Sequence, residues 1–195
     1  MHSRLRKLPP ALAALMAALA LGACGSSHSK VTTGTYAGES GASAPYLDVG
    51  PLTYQVQLSR QLNPQDTEDA SYLQGLSPAD RHLAPGQEWF GVFVQVYNNG
   101  SVAAAAANSP TVSDTQGNTY APIVPDQSNL YAYRGGVVPA KGRLPLPDTA
   151  ASNTTTQGAL LLYKIQIAAL DNRPLKLKVI NPDNAAETSS AELDV

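Results

Sequence analysis

The sequence predicts an all-β protein, an antiparallel, immunoglobulin-like β-sandwich of about seven strands with one or two short helical turns. Three observations carry this expectation. Apolar residues recur with period two in several separate segments, the signature of half-buried strands. No helix alternates regularly with these segments, which disfavours a βαβ arrangement. Gly and Pro, 15 each in 195 residues, break regular structure often, yet fall short of collagen-like density. At 43% hydrophobic and 14% charged residues, with a formal net charge of -2, the chain is too apolar for full disorder. It is also not basic enough for a strongly cationic nucleic-acid binder, so no nucleic-acid partner is expected.

The chain opens with Arg4, Arg6 and Lys7 and no acid, followed by an Ala, Leu and Met run from Ala11 to Leu21. This is the charge-then-apolar order of a secretory leader. Its roughly eleven apolar residues would span about 16 Å as a helix, near half of a ~30 Å hydrocarbon core. A leader over 1–23 is therefore expected rather than a spanning helix. The run ends in Leu21-Gly22-Ala23-Cys24, which resembles the lipobox of bacterial lipoproteins. The resemblance implies that Cys24 takes a diacylglycerol thioether and becomes the mature N-terminus. The protein would then sit on the extracytoplasmic face of the cell membrane, with the membrane itself as its first partner. Cys24 is the only cysteine, so a disulfide, a thiolate nucleophile and a zinc-cysteine site are excluded once it is lipidated.

Residues 24–44 are rich in Gly, Ser, Thr and Ala and read as a flexible tether, about 25 Å end to end. His28 lies in it and reads as solvated. The domain is expected over 45–195. Leu52, Tyr54, Val56 and Leu58 alternate with polar residues in its first strand. Phe90, Val92, Val94 and Val96 share one face of the next clear strand. Trp89, Gly91, Phe93, Gln95 and Tyr97 make the other, also partly apolar face, so this strand reads as central. Between the two strands, Asn63 suits a helix N-cap and Pro64 the first helical position. Asp66, Glu68 and Asp69 follow at the positive end of the dipole, and Gly75 is placed to stop the helix. Ser77-Pro78-Ala79-Asp80 repeats the pattern in miniature. The run Ala103–Ala107 favours helix by propensity, but it is short and bounded by turn signals, so its state stays open.

Asp114-Thr115-Gln116-Gly117-Asn118 has turn chemistry between Thr111–Ser113 and Thr119–Ile123, which reads as a hairpin. Ala159, Leu161, Tyr163, Ile165 and Ile167 form another alternating face. Leu175, Leu177 and Val179 form the next, and Ala191, Leu193 and Val195 the last.

The strand Trp89–Asn98, the hairpin Asp114–Pro122 and the late Gly158-Ala159-Leu160-Leu161-Leu162-Tyr163 together resemble the telokin-like, immunoglobulin-fold domains of actinobacterial extracellular proteins and lipoproteins. The likeness covers roughly 46–195 and rests on turn and core motifs. It implies the sandwich fold and no catalytic residues.

Chemistry-bearing constellations are sparse. His82 follows Asp80 and Arg81, with no G-x-S-x-G elbow in the chain to accompany it. Asp66, Glu68 and Asp69 offer hard oxygens for Ca²⁺, but helix-start charges account for them, and the spacing lacks an EF-hand glycine and distal glutamate. Asp114, Gln116 and Asn118 also alternate oxygens, as the hairpin turn requires. Glycine loops that cradle phosphate are absent, and no metal or cofactor is expected. Trp89 reads as core, with a sugar-stacking platform as the other reading. Tyr131, Tyr133 and Arg134, next to two glycines, form the candidate binding surface. In an extended segment the two tyrosines would share a face, and Tyr and Arg are typical of interaction hot spots. The expected function is a membrane-anchored, non-enzymatic binding module contacting an envelope protein or cell-wall component. The alternatives are a carrier of a small apolar molecule or lipid between the sheets, and a hydrolase of envelope glycans that uses paired carboxylates.

Overall fold

A computed structural model of the chain describes residues 29–35, 46–154 and 156–193. The leader expected over 1–23 and Cys24 lie outside these residues. The fold is a β-sandwich of mostly antiparallel sheets with two short helices.

The first sheet is built on β2 (Tyr46–Val49), β3 (Leu52–Leu62), β4 (Gln87–Asn98) and β10 (Ala159–Gln166), in the order β10-β4-β3-β2. Beyond the start of β10, the two-residue β9 (Arg143–Leu144) takes its place beside β4. The second sheet runs β1-β12-β11-β6-β7, with β1 (Ser29–Thr35), β6 (Thr111–Ser113), β7 (Thr119–Tyr120), β11 (Leu175–Asn181) and β12 (Asn184–Leu193). A small third sheet pairs β5 (Ala104–Ala106) with β8 (Gly136–Val138). More strands form than the expected seven or so, because several are edge pieces of two or three residues, too short for a period to show. One strand lies inside the segment read as a tether: β1 pairs in parallel with β12, Ser29 opposite Thr188.

The inner faces meet as the alternation requires. Val56, Phe90, Val92 and Val96 of the first sheet pack against Leu175, Leu177 and Val179 of the second, all at 0% exposure. Burying each such side chain is worth about 1.5–3 kcal/mol. A bulge in β3 between Val56 and Leu58 shifts the register against β4. From there on Leu58 and Leu62 lie opposite Phe93 and Trp89, on the outer face of the sheet.

That outer face carries a second core. Trp89 and Phe93 of β4, Leu160 and Leu162 of β10, and Leu62 are buried there against Tyr72 and Leu76. Tyr72 belongs to α1 (Thr67–Tyr72), and its ring meets Phe93 edge-on at 5.0 Å. The cap of α1 is Asp66 rather than Asn63. Asp66 Oδ1 accepts the N–H groups of Glu68 and Asp69, whereas Asn63 Oδ1 closes a separate turn on the Gln65 N–H. Gly75 ends this segment with φ +72°, a left-handed conformation that favours glycine, and a Cβ there would lie 2.5 Å from an Asp126 carboxylate oxygen.

One open assignment is settled and two other local expectations change. Ala104–Ala106 is strand, because pairing with β8 outweighs the weak helical preference of a three-residue run. Ile167 leaves the face of β10 to open a 3-10 turn (Ile167–Leu170) and is 51% exposed. Ile123 leaves its hairpin after Tyr120, and its N–H donates to Leu162 O at 2.7 Å, along the edge of β10. A second helix, α2 (Ala150–Asn153), closed by a capping box from Thr149 and Ser152, precedes β10. Val195 lies outside the described residues.

The chain passes from β5 to β6 through Ala107–Pro110, and three core tyrosines hold this stretch. Tyr54 accepts the Ala107 N–H at 2.7 Å, Tyr133 donates to Ala107 O at 2.8 Å, and Tyr163 donates to Pro110 O at 2.9 Å. Burial pushes all three phenols above their ordinary pKa, so each stays a neutral hydroxyl. Tyr163→Phe removes the hydroxyl that donates to the buried Pro110 carbonyl while keeping the ring. It should lower unfolding stability by about 1–2 kcal/mol, read from the urea midpoint with the slope unchanged. An unchanged midpoint would refute the role given to this hydroxyl.

Candidate functional site

The three residues singled out for binding lie on one stretch of chain that runs along the outer edge of β10. They do not form one exposed face. Tyr131 is half-buried in the outer core, edge-on to Tyr72 at 4.9 Å. Tyr133 is 3% exposed and belongs to the inter-sheet core. The expectation of a shared face assumed an extended segment, and Asn129 prevents that. Its buried side chain accepts the N–H groups of both Tyr131 and Ala132 at 2.9 Å, bending the chain. Its amide nitrogen donates to Tyr72 O and Gln74 O, each at 2.9 Å, tying the bend to the end of α1.

Arg134 is half-buried and staples the same loop. Its guanidinium donates to Pro125 O at 2.9 Å, Asp126 O at 2.5 Å and Asn129 O at 3.2 Å. Hydrogen bonds from Ser128, together with the Arg134 charge, hold the Asp126 carboxyl below the ordinary carboxylate range.

The loop nonetheless forms one wall of a groove of about 370 Å³, to which Tyr133 and Arg134 both contribute. The opposite wall is the strap that carries Leu144, Pro145, Leu146 and Thr149. Two large apolar side chains stand open to solvent at its rim, Leu130 at 68% and Leu146 at 53% exposure. Ala132, Ala151 and Ala159 also line the groove, small residues that leave space. Leu130, Leu144 and Leu146 went unnoticed in the sequence. Leu130 lies in an aperiodic loop, and Leu144 and Leu146 flank a proline at the end of a two-residue strand; only the fold brings them together.

The acidic candidates serve structure. Asp69 is buried and accepts both guanidinium nitrogens of Arg60, at 2.5 and 2.9 Å, as well as the Asn63 N–H at 2.7 Å. Burial alone would raise its pKa. The Arg60 hydrogen bonds and charge and the Asn63 N–H outweigh it, and the carboxyl titrates below its ordinary range. A shallow cleft of about 650 Å³ opens beside this pair, and Asp66 and Glu88 also line it. Asp66 is spent on the helix cap. One oxygen of Glu88 accepts from Gln61 at 2.8 Å, while the other has no hydrogen-bond partner among the described residues. Asp114 accepts from Gln116 N and Asn118 N at 2.9 Å, and from Asn118 Nδ2 at 2.8 Å, which holds the hairpin turn. Burial opposes its ionisation, but these donors prevail and its pKa is lowered. His82 is exposed in its loop. Trp89 is 3% exposed, with the Lys164 ammonium 5.3 Å from its ring centre. Among the described residues no group of three or more His, Cys, Asp or Glu side chains could hold a metal ion. No helix among them is long and apolar enough to cross a membrane.

No protein-family model matches the sequence, and no curated protein does. Solved structures do resemble the fold. The yjhA protein of Bacillus subtilis superimposes over 81% of this chain and 100% of its own, with a TM-score of 0.51 at 10% sequence identity. A B. subtilis protein described as a "putative lipoprotein" (ycdA) matches over 76% of this chain, with a TM-score of 0.48 at 10% identity. The chain spans only 38% of the length of that protein. An uncharacterized β-sandwich protein of Clostridium difficile 630 matches over 84% of this chain and 95% of its own, with a TM-score of 0.43 at 9% identity. At such identities the likeness to yjhA is one of fold alone.

The Arg60–Asp69 pair gives a pH-dependent expectation. A carboxyl whose folded pKa is depressed stabilises the fold above its unfolded pKa, and that stability is lost as pH falls through the folded value. Asp69→Asn should cost about 2–4 kcal/mol at pH 7, since it leaves a partly buried guanidinium without its counter-charge. The cost should shrink as the pH falls below about 4, where the carboxyl of the unfolded chain takes up its proton first, and be lost as the pH passes the depressed value of the folded carboxyl. Urea unfolding of both proteins between pH 7 and pH 2 checks this, and a cost independent of pH would count against it.

Proposed function

We propose that the protein is a membrane-anchored, non-enzymatic interaction module of the cell envelope. Lipid on Cys24 holds it at the extracytoplasmic face, and the sandwich presents the groove between Leu130 and Leu146 to a protein or cell-wall partner. The observation that carries this reading is the pair of leucines left open at the rim of a concave, largely apolar groove, with Arg134 in its wall. Apolar side chains flanking a concavity, with a few polar groups inside, are a common form of recognition site. The employment of Asp66, Asp69 and Asp114 in caps, ion pairs and turns supports a binding role over hydrolysis. The lipobox resemblance and the leader pattern support the anchor, and the telokin-like resemblance supports an extracellular setting.

A second reading is favoured by the groove's size. About 370 Å³ falls within the range of small-molecule sites. An apolar molecule or lipid would then be carried at the edge of the sandwich rather than between the sheets, where large side chains are packed.

Two experiments test the reading. Cys24→Ser should move the protein from the membrane fraction to the soluble fraction, or stall it as the unprocessed form. Unchanged attachment would overturn the anchor. Leu130→Ser and Leu146→Ser, both at exposed sites, should leave the melting midpoint within about 1 °C of the parent, in line with the small effect of surface changes. Both should remove the products formed on crosslinking in intact envelopes. Retention of every crosslink in the double variant would overturn the groove as the contact face.

A further inference from the structure

The outer face of the first sheet changes character halfway along. At one end Trp89 and Phe93 lie beneath α1 and the following loops. At the other end the outward positions of β2, β3, β4 and β9 carry two rows of polar and phenolic side chains. Tyr46, Gln55 and Gln95 stand opposite one another in the first row. Asp48, Thr53, Tyr97 and Arg143 form the second. The intervening Leu47, Tyr54 and Val96 point the other way, into the inter-sheet core.

Within the rows the side chains fix one another. Gln55 Nε2 donates to the Tyr46 hydroxyl at 3.2 Å, the Tyr97 hydroxyl donates to Gln95 Oε1, and Gln95 Nε2 donates to Gln157 O at 3.3 Å. Thr53 donates to Asp48 at 3.0 Å. Tyr46 remains 49% exposed and Tyr97 is half-buried, while the two amides between them are nearly buried. Tyr97 is close enough to both Tyr46 and Arg143 for each to act on its ionisation electrostatically. Adjacent strands lie about 4.8 Å apart, so four of them present a surface roughly 14 Å across.

We infer that this face binds a neutral polysaccharide chain. Phenol rings offer flat apolar area with a polar tip, suited to the C–H faces and hydroxyls of sugar rings. The phenol and threonine hydroxyls can both donate and accept, as a hydroxyl-rich ligand requires, while the nearly buried Gln55 and Gln95 amides set the positions of the two phenols. The one acid and one base of the two rows, Asp48 and Arg143, cancel, so nothing here favours a polyanion or an anionic headgroup. The lateral hydrogen bonds hold the side chains in place before a ligand arrives, which lowers the ordering cost of binding. The inference does not rest on the lipid anchor or on the Leu130–Leu146 groove.

The test uses the full chain in mild detergent, run through native gels cast with an α-mannan, a β-1,3-glucan or hydroxyethylcellulose, with dextran sulfate as the charged control. At least one neutral polymer should retard the protein. Tyr46→Ala and Arg143→Gln, both at exposed positions, should each weaken that retardation at least tenfold without moving the melting midpoint. Leu130→Ser should be retarded like the parent. The inference is overturned if no neutral polymer retards the protein, or if dextran sulfate retards it as strongly. It is also overturned if Tyr46→Ala and Arg143→Gln both behave as the parent, or if Leu130→Ser abolishes retardation. None of these outcomes bears on fractionation of the Cys24→Ser protein, so the anchor stands or falls separately.

Discussion

β4 is apolar on both faces over much of its length, and the architecture follows from covering both. Phe90, Val92, Val94 and Val96 are covered by the opposing sheet. Trp89 and Phe93 would lie open if the protein were a two-layer sandwich alone. A third layer answers them: α1, the stretch to Leu83 and the chain from Ile123 to Tyr131 close over this half of the sheet. The cover stops where β4 turns polar, at Gln95 and Tyr97. The same strand therefore specifies a dry end and a wet end on one face.

The joints of this assembly are polar. Asn129 uses both ends of its amide to lock the Ile123–Tyr131 cover to the end of α1, and Arg60 anchors the start of α1 to β3 through Asp69. At the end of the sandwich away from α1, Glu187 accepts from Gly50 N at 2.7 Å and from Asn181 Nδ2 at 2.9 Å, linking the turns of the two sheets. Gly50, at φ +58°, is needed there, because a Cβ would lie 2.8 Å from that Asn181 nitrogen. Buried polar groups of this kind cost stability when left unmet and confer a unique geometry when satisfied. In a chain with 14% charged residues, several of the acids that offered oxygens for a metal ion are spent on such joints.

Much of the sandwich is legible in the sequence because strand periodicity is local. The alternations at Leu52–Val56, Phe90–Val96 and Leu175–Val179 each read correctly, although the bulge after Val56 carries Leu58 to the outer face. So does the Asp114–Asn118 turn, whose carboxylate contacts lie within a few residues. The double-sided apolarity of β4 also announces its central place. What escapes is what depends on distant partners. The state of Ala104–Ala106 is decided by β8, some thirty residues away in sequence. The divergence of Tyr131 and Tyr133 follows from one asparagine side chain that takes two successive N–H groups and breaks the period-two geometry. The groove leucines and the Tyr46–Arg143 rows are assembled across loops and strands, and no window of sequence contains either.

Trp89 is the only tryptophan in the chain. It lies wholly on the outer side of the first sheet, shielded from water and with a cation over its ring. The tyrosines of the inter-sheet core are on the other side of the same backbone. Indole emission is therefore an optical gauge of the third layer, and far-ultraviolet circular dichroism a gauge of the sheets beneath it. Comparing the two on heating would tell whether the cover lifts off a standing sandwich or both layers melt as one cooperative unit.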